Sequence, residues 1–279
     1  MISVNKILIT ILLFVAVEVF AQNTMMEQLS FADTLFKQEK YFDAITEYKR
    51  LLFFDKGNEN QFISNFKIGL CYKEGGKFDE ALRYFTIAEI KSQNKEDYFL
   101  AKTYQVRVNI LRRTIAQANR ILDKLENDPL FSSKEEEIKY WRGWAYIFSD
   151  EWDKAAETFS ENNLTTSLAV ICKNTDESLY SVNFAKYSSY LIPGFGQFYT
   201  GEYVSGTISL GWNLLFGYLT VNSFVEDRIF DGFVVGNLLW LRFYTGNLQN
   251  AEKFAKQKNL KTSNKTLSYL QYDFKGLKP

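Results

Sequence analysis

Alanine recurs every 37 residues in the first half of this chain, at Ala44, Ala81, Ala118 and Ala155. The residues around it keep the same register. Three positions earlier stand Tyr41, Phe78, Ile115 and Trp152; four positions later stand Tyr48, Phe85, Leu122 and Phe159. Twelve earlier come Ala32, Gly69, Val106 and Gly143. Spacings of three and four place apolar side chains on one helical face, and a shared period of this length requires stacked copies of one supersecondary unit. The clearest copy is Ile68–Ala88, IGLCYKEGGKFDEALRYFTIA, in which Gly75-Gly76 separates two helical patterns. Two amphipathic helices joined by a short turn form an αα-hairpin with small residues where the backbones approach.

This unit resembles the tetratricopeptide repeat: a small residue, an aromatic, a glycine turn, an aromatic, then Ala, aromatic and Ala. Residues 26–165 are read as four such repeats, each three residues longer than the family's usual thirty-four. The third copy departs furthest, with Val106 at the small position and Asn109 where Leu35, Tyr72 and Tyr146 stand elsewhere. The resemblance implies an all-α solenoid with a concave groove lined by first helices, holding a protein or peptide partner. Carried over by register, the groove positions are Leu29, Phe66, Thr103 and Tyr140, with Asp33, Leu70, Arg107 and Trp144 one turn on. Phe66, Leu70, Arg107, Tyr140 and Trp144 are the candidate partner-binding residues.

Composition narrows the chemistry. The chain has no histidine, and its 33 lysines and arginines balance 33 aspartates and glutamates. Histidine-dependent triads and metal sites are thereby excluded, and no bulk charge favours nucleic acid. No nucleophile-elbow serine, phosphate loop or metal-ligand motif is present, and no cofactor is expected. The reading is a non-enzymatic protein. Cys71 and Cys172 are too few for a disulfide framework, and Cys71 reads as a small buried hydrophobe.

The N-terminus and the second half of the chain lie outside the repeat register. Residues 1–21 run from Lys6 through the apolar stretch Ile7–Val17 to Val-Phe-Ala, the layout of a secretory signal peptide. Residues 166–192 read as capping or linking helices. Then comes SSYLIPGFGQFYTGEYVSG, followed by Tyr203–Val225 without a charge and by Ile229–Leu248 with only Asp231 and Arg242. The stretch with Pro193, Gly194, Gly196, Gln197, Tyr199 and Gly201 resembles the glycine-rich lead-in of short two-helix membrane domains of bacterial envelope proteins. That resemblance implies a membrane-embedded helical hairpin over residues 193–249, touching lipid through residues 203–248. Gly232-x-x-x-Gly236 offers a close-contact face for self-association. Residues 250–279 read as a lysine-rich tail.

These readings combine into an exported scaffold of the cell envelope, its repeats on the periplasmic side and its hairpin at a membrane. The alternative is a soluble periplasmic assembly factor or chaperone with the hairpin packed on the repeats.

Overall fold

The computed structural model describes residues 25–279. The expected signal peptide lies outside the described residues. Among these residues the chain is all-helical, with no strand. It divides into two compact units, one ending at Ala169 and one spanning Val170–Lys278.

The first unit is a run of helical hairpins. Helix α1 (25–37) pairs with α2 (Tyr41–Phe54), α3 (Gln61–Glu74) with α4 (Phe78–Ile90), α5 (Lys95–Leu111) with α6 (Ile115–Glu126), and α7 (Glu135–Phe148) with α8 (Trp152–Ser160). A 3-10 turn, Pro129–Lys134, precedes α7, with proline at its start, where its missing N–H costs nothing. The three acidic residues Glu135–Glu137 fill the first turn of α7, where negative charge suits the helix dipole. Each hairpin packs chiefly on itself and the next, so the core is continuous along the stack.

The period appears in the packing. Ala44, Ala81, Ala118 and Ala155 are fully buried, as are Ala32 and Val106. A Cβ added to Gly69 would lie 2.7 Å from the Phe85 ring, and one added to Gly143 would lie 2.4 Å from Phe159. In the third repeat the pair is Val106 and Leu122: a larger residue at the small position is matched by a smaller one at the aromatic position. The smaller leucine offsets part of the volume that the valine adds.

The hairpin turns share one geometry as well. Glu39, Gly76, Arg113 and Asp150 each take a left-handed φ of 56° to 70°. The next amide N–H reaches back five residues, from Lys40 to Leu35 O, Lys77 to Tyr72 O, Thr114 to Asn109 O and Glu151 to Tyr146 O. This bond closes a helix C-terminus through a left-handed residue. Only the second repeat fills the left-handed position with glycine. In the third, Thr114 Oγ1 donates to Asn109 Oδ1 at 2.7 Å, and Asn109 Nδ2 donates to Gln105 O at 2.8 Å. Asn109 is thus a turn clamp.

The second unit takes most of α9 (Thr166–Glu177, its first residues in the first unit), then α10 (Val182–Leu191), the short α11 (Phe195–Tyr199), α12 (Tyr203–Val225), α13 (Ile229–Val234) and α14 (Leu241–Tyr272). A π-helical segment, Val235–Trp240, joins α13 to α14 without a break. Two expectations are corrected here. The second apolar segment is not a separate helix ending near Leu248, and residues 250–272 are not a tail. Ala251, Ala255 and Leu270 are buried along α14, and Asn259 exchanges two hydrogen bonds of 2.8 Å with the Tyr180 backbone. Buried anchors on that face extend the helix through the lysine-rich stretch.

Candidate interaction surfaces

On the repeats, the groove residues named from register separate into two groups. Phe66 is 5 % exposed and lies in a ring cluster with Phe62, Phe85 and Tyr104, at centroid distances of 5.7, 5.4 and 4.9 Å. Trp144 is 2 % exposed and Thr103 is buried. Register correctly put these side chains on first helices, but large apolar groups there complete the stack. Phe66 and Trp144 are therefore corrected from partner contacts to core. Asp33 is also engaged: it accepts from the Tyr48 hydroxyl and pairs with Lys67 of the next repeat at 3.0 Å.

Arg107, Tyr140 and Leu70 are half-buried. The Arg107 guanidinium lies 4.1 Å from the Tyr104 ring centroid and 4.8 Å from that of Trp141, bridging the third and fourth repeats. Such cation–aromatic stacking holds the planar head at a defined place. Tyr140 packs on Trp141 and Phe159 at 5.1 and 5.9 Å. Burial raises its phenol pKa, partly offset by the Trp144 indole and the Arg107 charge. Tyr104 and Trp141 were missed by the sequence reading. Stepping 37 residues from Lys67 reaches both, so the signal was present. Lys73 is a further anomaly: it is buried at a position where the other repeats have Phe36, Ile110 and Ile147. Burial lowers its pKa, and its ammonium donates to Glu74 at 3.2 Å.

In the second unit, the glycine-rich stretch forms a buried polar knot. Asn247 Oδ1 accepts from the Gly194 amide at 2.7 Å, from Ser209 Oγ at 3.0 Å and from Gln197 Nε2 at 3.1 Å. Asn247 Nδ2 donates to Ser189 O at 3.0 Å, while Ser189 Oγ accepts from Gly196 N at 2.8 Å. One amide thereby ties α10, α11, α12 and α14 together. Gly194 has φ 94°, and a Cβ there would sit 2.4 Å from Gly206 O; a Cβ on Gly196 would sit 2.2 Å from Ala185 O. No other residue fits either place. Gly201, φ 79°, closes α11 with the same back-reaching bond as the repeat turns, from Glu202 N to Gln197 O. Tyr199 accepts from the Ser181 amide at 3.1 Å and packs on Tyr180 and Phe184. Pro193 leads into the knot. The motif expected to introduce a membrane domain is thus a packing device within the unit.

Beyond the knot, α12 runs alongside α13 and the π-helical segment. Its buried residues are Gly206, Asn213, Thr220 and Ser223. Asn213 Nδ2, Thr220 Oγ1 and Ser223 Oγ each donate to a carbonyl four residues back on α12. Most outward positions are apolar: Val204, Ile208, Leu214, Leu215, Val221 and Val225 on α12, and Phe230 and Phe233 opposite, are exposed, with the polar Thr207 and Asn237 among them. Asn222 stays at the tip, donating to Glu226. Gly232 and Gly236 are committed inside the hairpin, since a Cβ there would lie 2.9 Å from the Phe224 ring and 3.1 Å from Thr220. They offer no face for self-association. Among the described residues no helix is long and apolar enough to cross a membrane, because polar residues such as Asn213, Asn222 and Asn237 interrupt the apolar run. The expected spanning hairpin is not supported on that measure.

The comparison with known families matches residues 64–88 to the Tetratricopeptide repeat. That is most of α3, its turn and most of α4, so the chain carries a repeat of this type at its clearest copy. No curated protein and no solved structure matches the chain.

Proposed function

We propose that this chain is a non-enzymatic scaffold that holds a protein or peptide partner on its repeats and is itself held at a lipid bilayer of the cell envelope. The repeat supports the first half, since tetratricopeptide repeats serve protein–protein interaction. Arg107, Tyr140 and Leu70 are the accessible candidates, and aromatic and arginine side chains are where interface energy concentrates. The leader-like sequence of residues 1–21 supports export, with the repeats on the periplasmic side.

The observation that carries the lipid half is the reversed polarity of the hairpin. Asn213, Thr220 and Ser223 point inward while leucines, valines and phenylalanines point outward. Contiguous exposed apolar surface of this extent marks an interaction site. The surrounding medium meets only the outward residues, so the inward asparagine takes no part in that contact.

Liposome flotation of the full chain tests the reading. Wild type is expected to float, and Leu215→Arg to lose about a hundredfold in partitioning, the size of a charge placed mid-helix. A wild type that remains with the soluble fraction would replace this reading with the soluble assembly factor. For the repeats, Arg107→Ala together with Tyr140→Ala is expected to weaken partner capture with helicity unchanged.

A further inference from the structure

Helix α10 carries a stripe that the hairpin does not account for. Phe184, Tyr187 and Leu191 follow at intervals of three and four, on one face, and are 50 %, 63 % and 86 % exposed. The opposite face is closed: Ala185 and Ser189 are fully buried, and Lys186 pairs with Glu252 of α14 at 3.0 Å. Phe184 packs on Phe195 and Tyr199 at the start of the stripe, at 6.2 and 5.0 Å, while Tyr187 and Leu191 turn outward from the unit's core.

The stripe is continuous with the root of the hairpin. Tyr187 stacks on Tyr190, Tyr190 meets Tyr244 edge-on at 6.3 Å, and the Tyr244 hydroxyl donates to Tyr190 O at 2.8 Å. Ile192 extends the same surface toward the chain's turn into α11, half of it exposed. Tyrosine presents an apolar ring and a polar tip, the combination that suits the boundary between headgroups and acyl chains. Nearby charge agrees. Past Glu252, α14, which packs along α10, carries Lys253, Lys256, Lys258, Lys261 and Lys265, of which Lys256 pairs with Glu252 and Lys258 with Glu202. Lysines beside an anionic lipid surface contribute attraction that acyl contact lacks.

We infer that the Phe184–Tyr187–Leu191 face of α10 lies in the interfacial layer of an anionic bilayer, parallel to its plane, while the hairpin reaches deeper. The inference rests on the lipid-held reading of the hairpin and adds its orientation: α10 is the shallow contact, α12 the deep one. The occupant is lipid rather than a second copy, because the stripe joins an inverted hairpin on one side and a cationic helix on the other.

The test uses the full chain with one added cysteine, at Leu191→Cys or at Leu215→Cys, carrying an environment-sensitive fluorophore. Native Cys71 and Cys172 are buried, and burial pushes both thiols up to about 12, so labelling is confined to the added site. Vesicles of phosphatidylcholine and phosphatidylglycerol contain spin-labelled lipid with the label either near the headgroup or near the chain end. The expected result is quenching of position 191 by the shallow label and of position 215 by the deep one. Leu191→Glu is expected to weaken partitioning by about tenfold, the scale of one leucine's transfer. Quenching at 215 with none at 191 overturns the inference and leaves the lipid-held hairpin standing. No quenching at either site overturns both. A signal at 191 that rises with protein concentration without vesicles assigns the stripe to a second copy and overturns the lipid contact.

Discussion

The repeats and the hairpin of this chain hide opposite kinds of side chain. In the repeats, Phe85, Ala81 and Phe66 are enclosed and the charged residues of α4 and α6 face outward. In the hairpin, Asn213, Thr220 and Ser223 are enclosed and the valines and leucines face outward. A helix does not carry an intrinsic inside. Which face is hidden differs between these two parts of one chain.

That contrast can be broken most severely at the knot. Gly196→Val has no space, with Ala185 O, Ala251 Cβ and Ser189 Oγ all within 2.6 Å of a new Cβ, and is expected to abolish folding of the second unit. Circular dichroism should show a lost transition, while Gly211→Ala, with nothing within 4 Å, keeps it. Next in size, Phe85→Ala is expected to cost about 3–5 kcal/mol in chemical denaturation. The inverse substitution sharpens the point: Asn247→Leu makes the second unit more apolar yet destabilises it. It strips the acceptor from the buried Gly194 amide and from the half-buried Ser209 hydroxyl, at about 1–3 kcal/mol for a buried donor left unmet, while Gln197 keeps its bond to Asn247 O.

Smaller and opposite in sign is Lys73→Leu. A buried lysine among apolar equivalents is expected to be replaceable with a gain of about 1–2 kcal/mol. The pH dependence identifies the cause. Because the folded pKa is lowered, the unfolded chain binds the proton more tightly, so wild-type stability rises with pH toward the usual lysine range. The advantage of the leucine variant should shrink over that interval, as followed by melts at increasing pH. Smallest is Leu215→Ser, expected to change stability in solution by about 0.5 kcal/mol or less, since the side chain is 45 % exposed. A large loss from this substitution would mean that the outward face is a core after all.

The repeats were legible because their signal is positional. Thirty-seven-residue spacing located the alanines, the small–aromatic pairs and the first helices before any coordinates. What register could not say is whether a side chain on a first helix is sealed by the next repeat, so Phe66 and Trp144 passed for contacts. The turns were legible only where glycine marked them. Glu39, Arg113 and Asp150 adopt the same backbone without a residue type that announces it. In the second unit the sequence showed the glycines but not their neighbours, which lie about fifty residues away at Asn247 and Ala251. Composition likewise registered Asn213 as a defect in an apolar run, when its direction is what matters.

The recurring left-handed turn has a consequence for heat tolerance. Three of the four repeat turns place a side chain where a Cβ is strained by about 1–2 kcal/mol, and two of these side chains meet, Arg113 pairing with Asp150 at 4.0 Å. Glu39 should therefore add independently, whereas Arg113 and Asp150 are coupled. Replacing Glu39, Arg113 and Asp150 by glycine one at a time would raise the melting temperature in steps of about 2–4 °C per kcal/mol recovered, for a chain of this size. The turns then act as adjustments of thermal range, Glu39 by itself and Arg113 with Asp150 as a coupled pair.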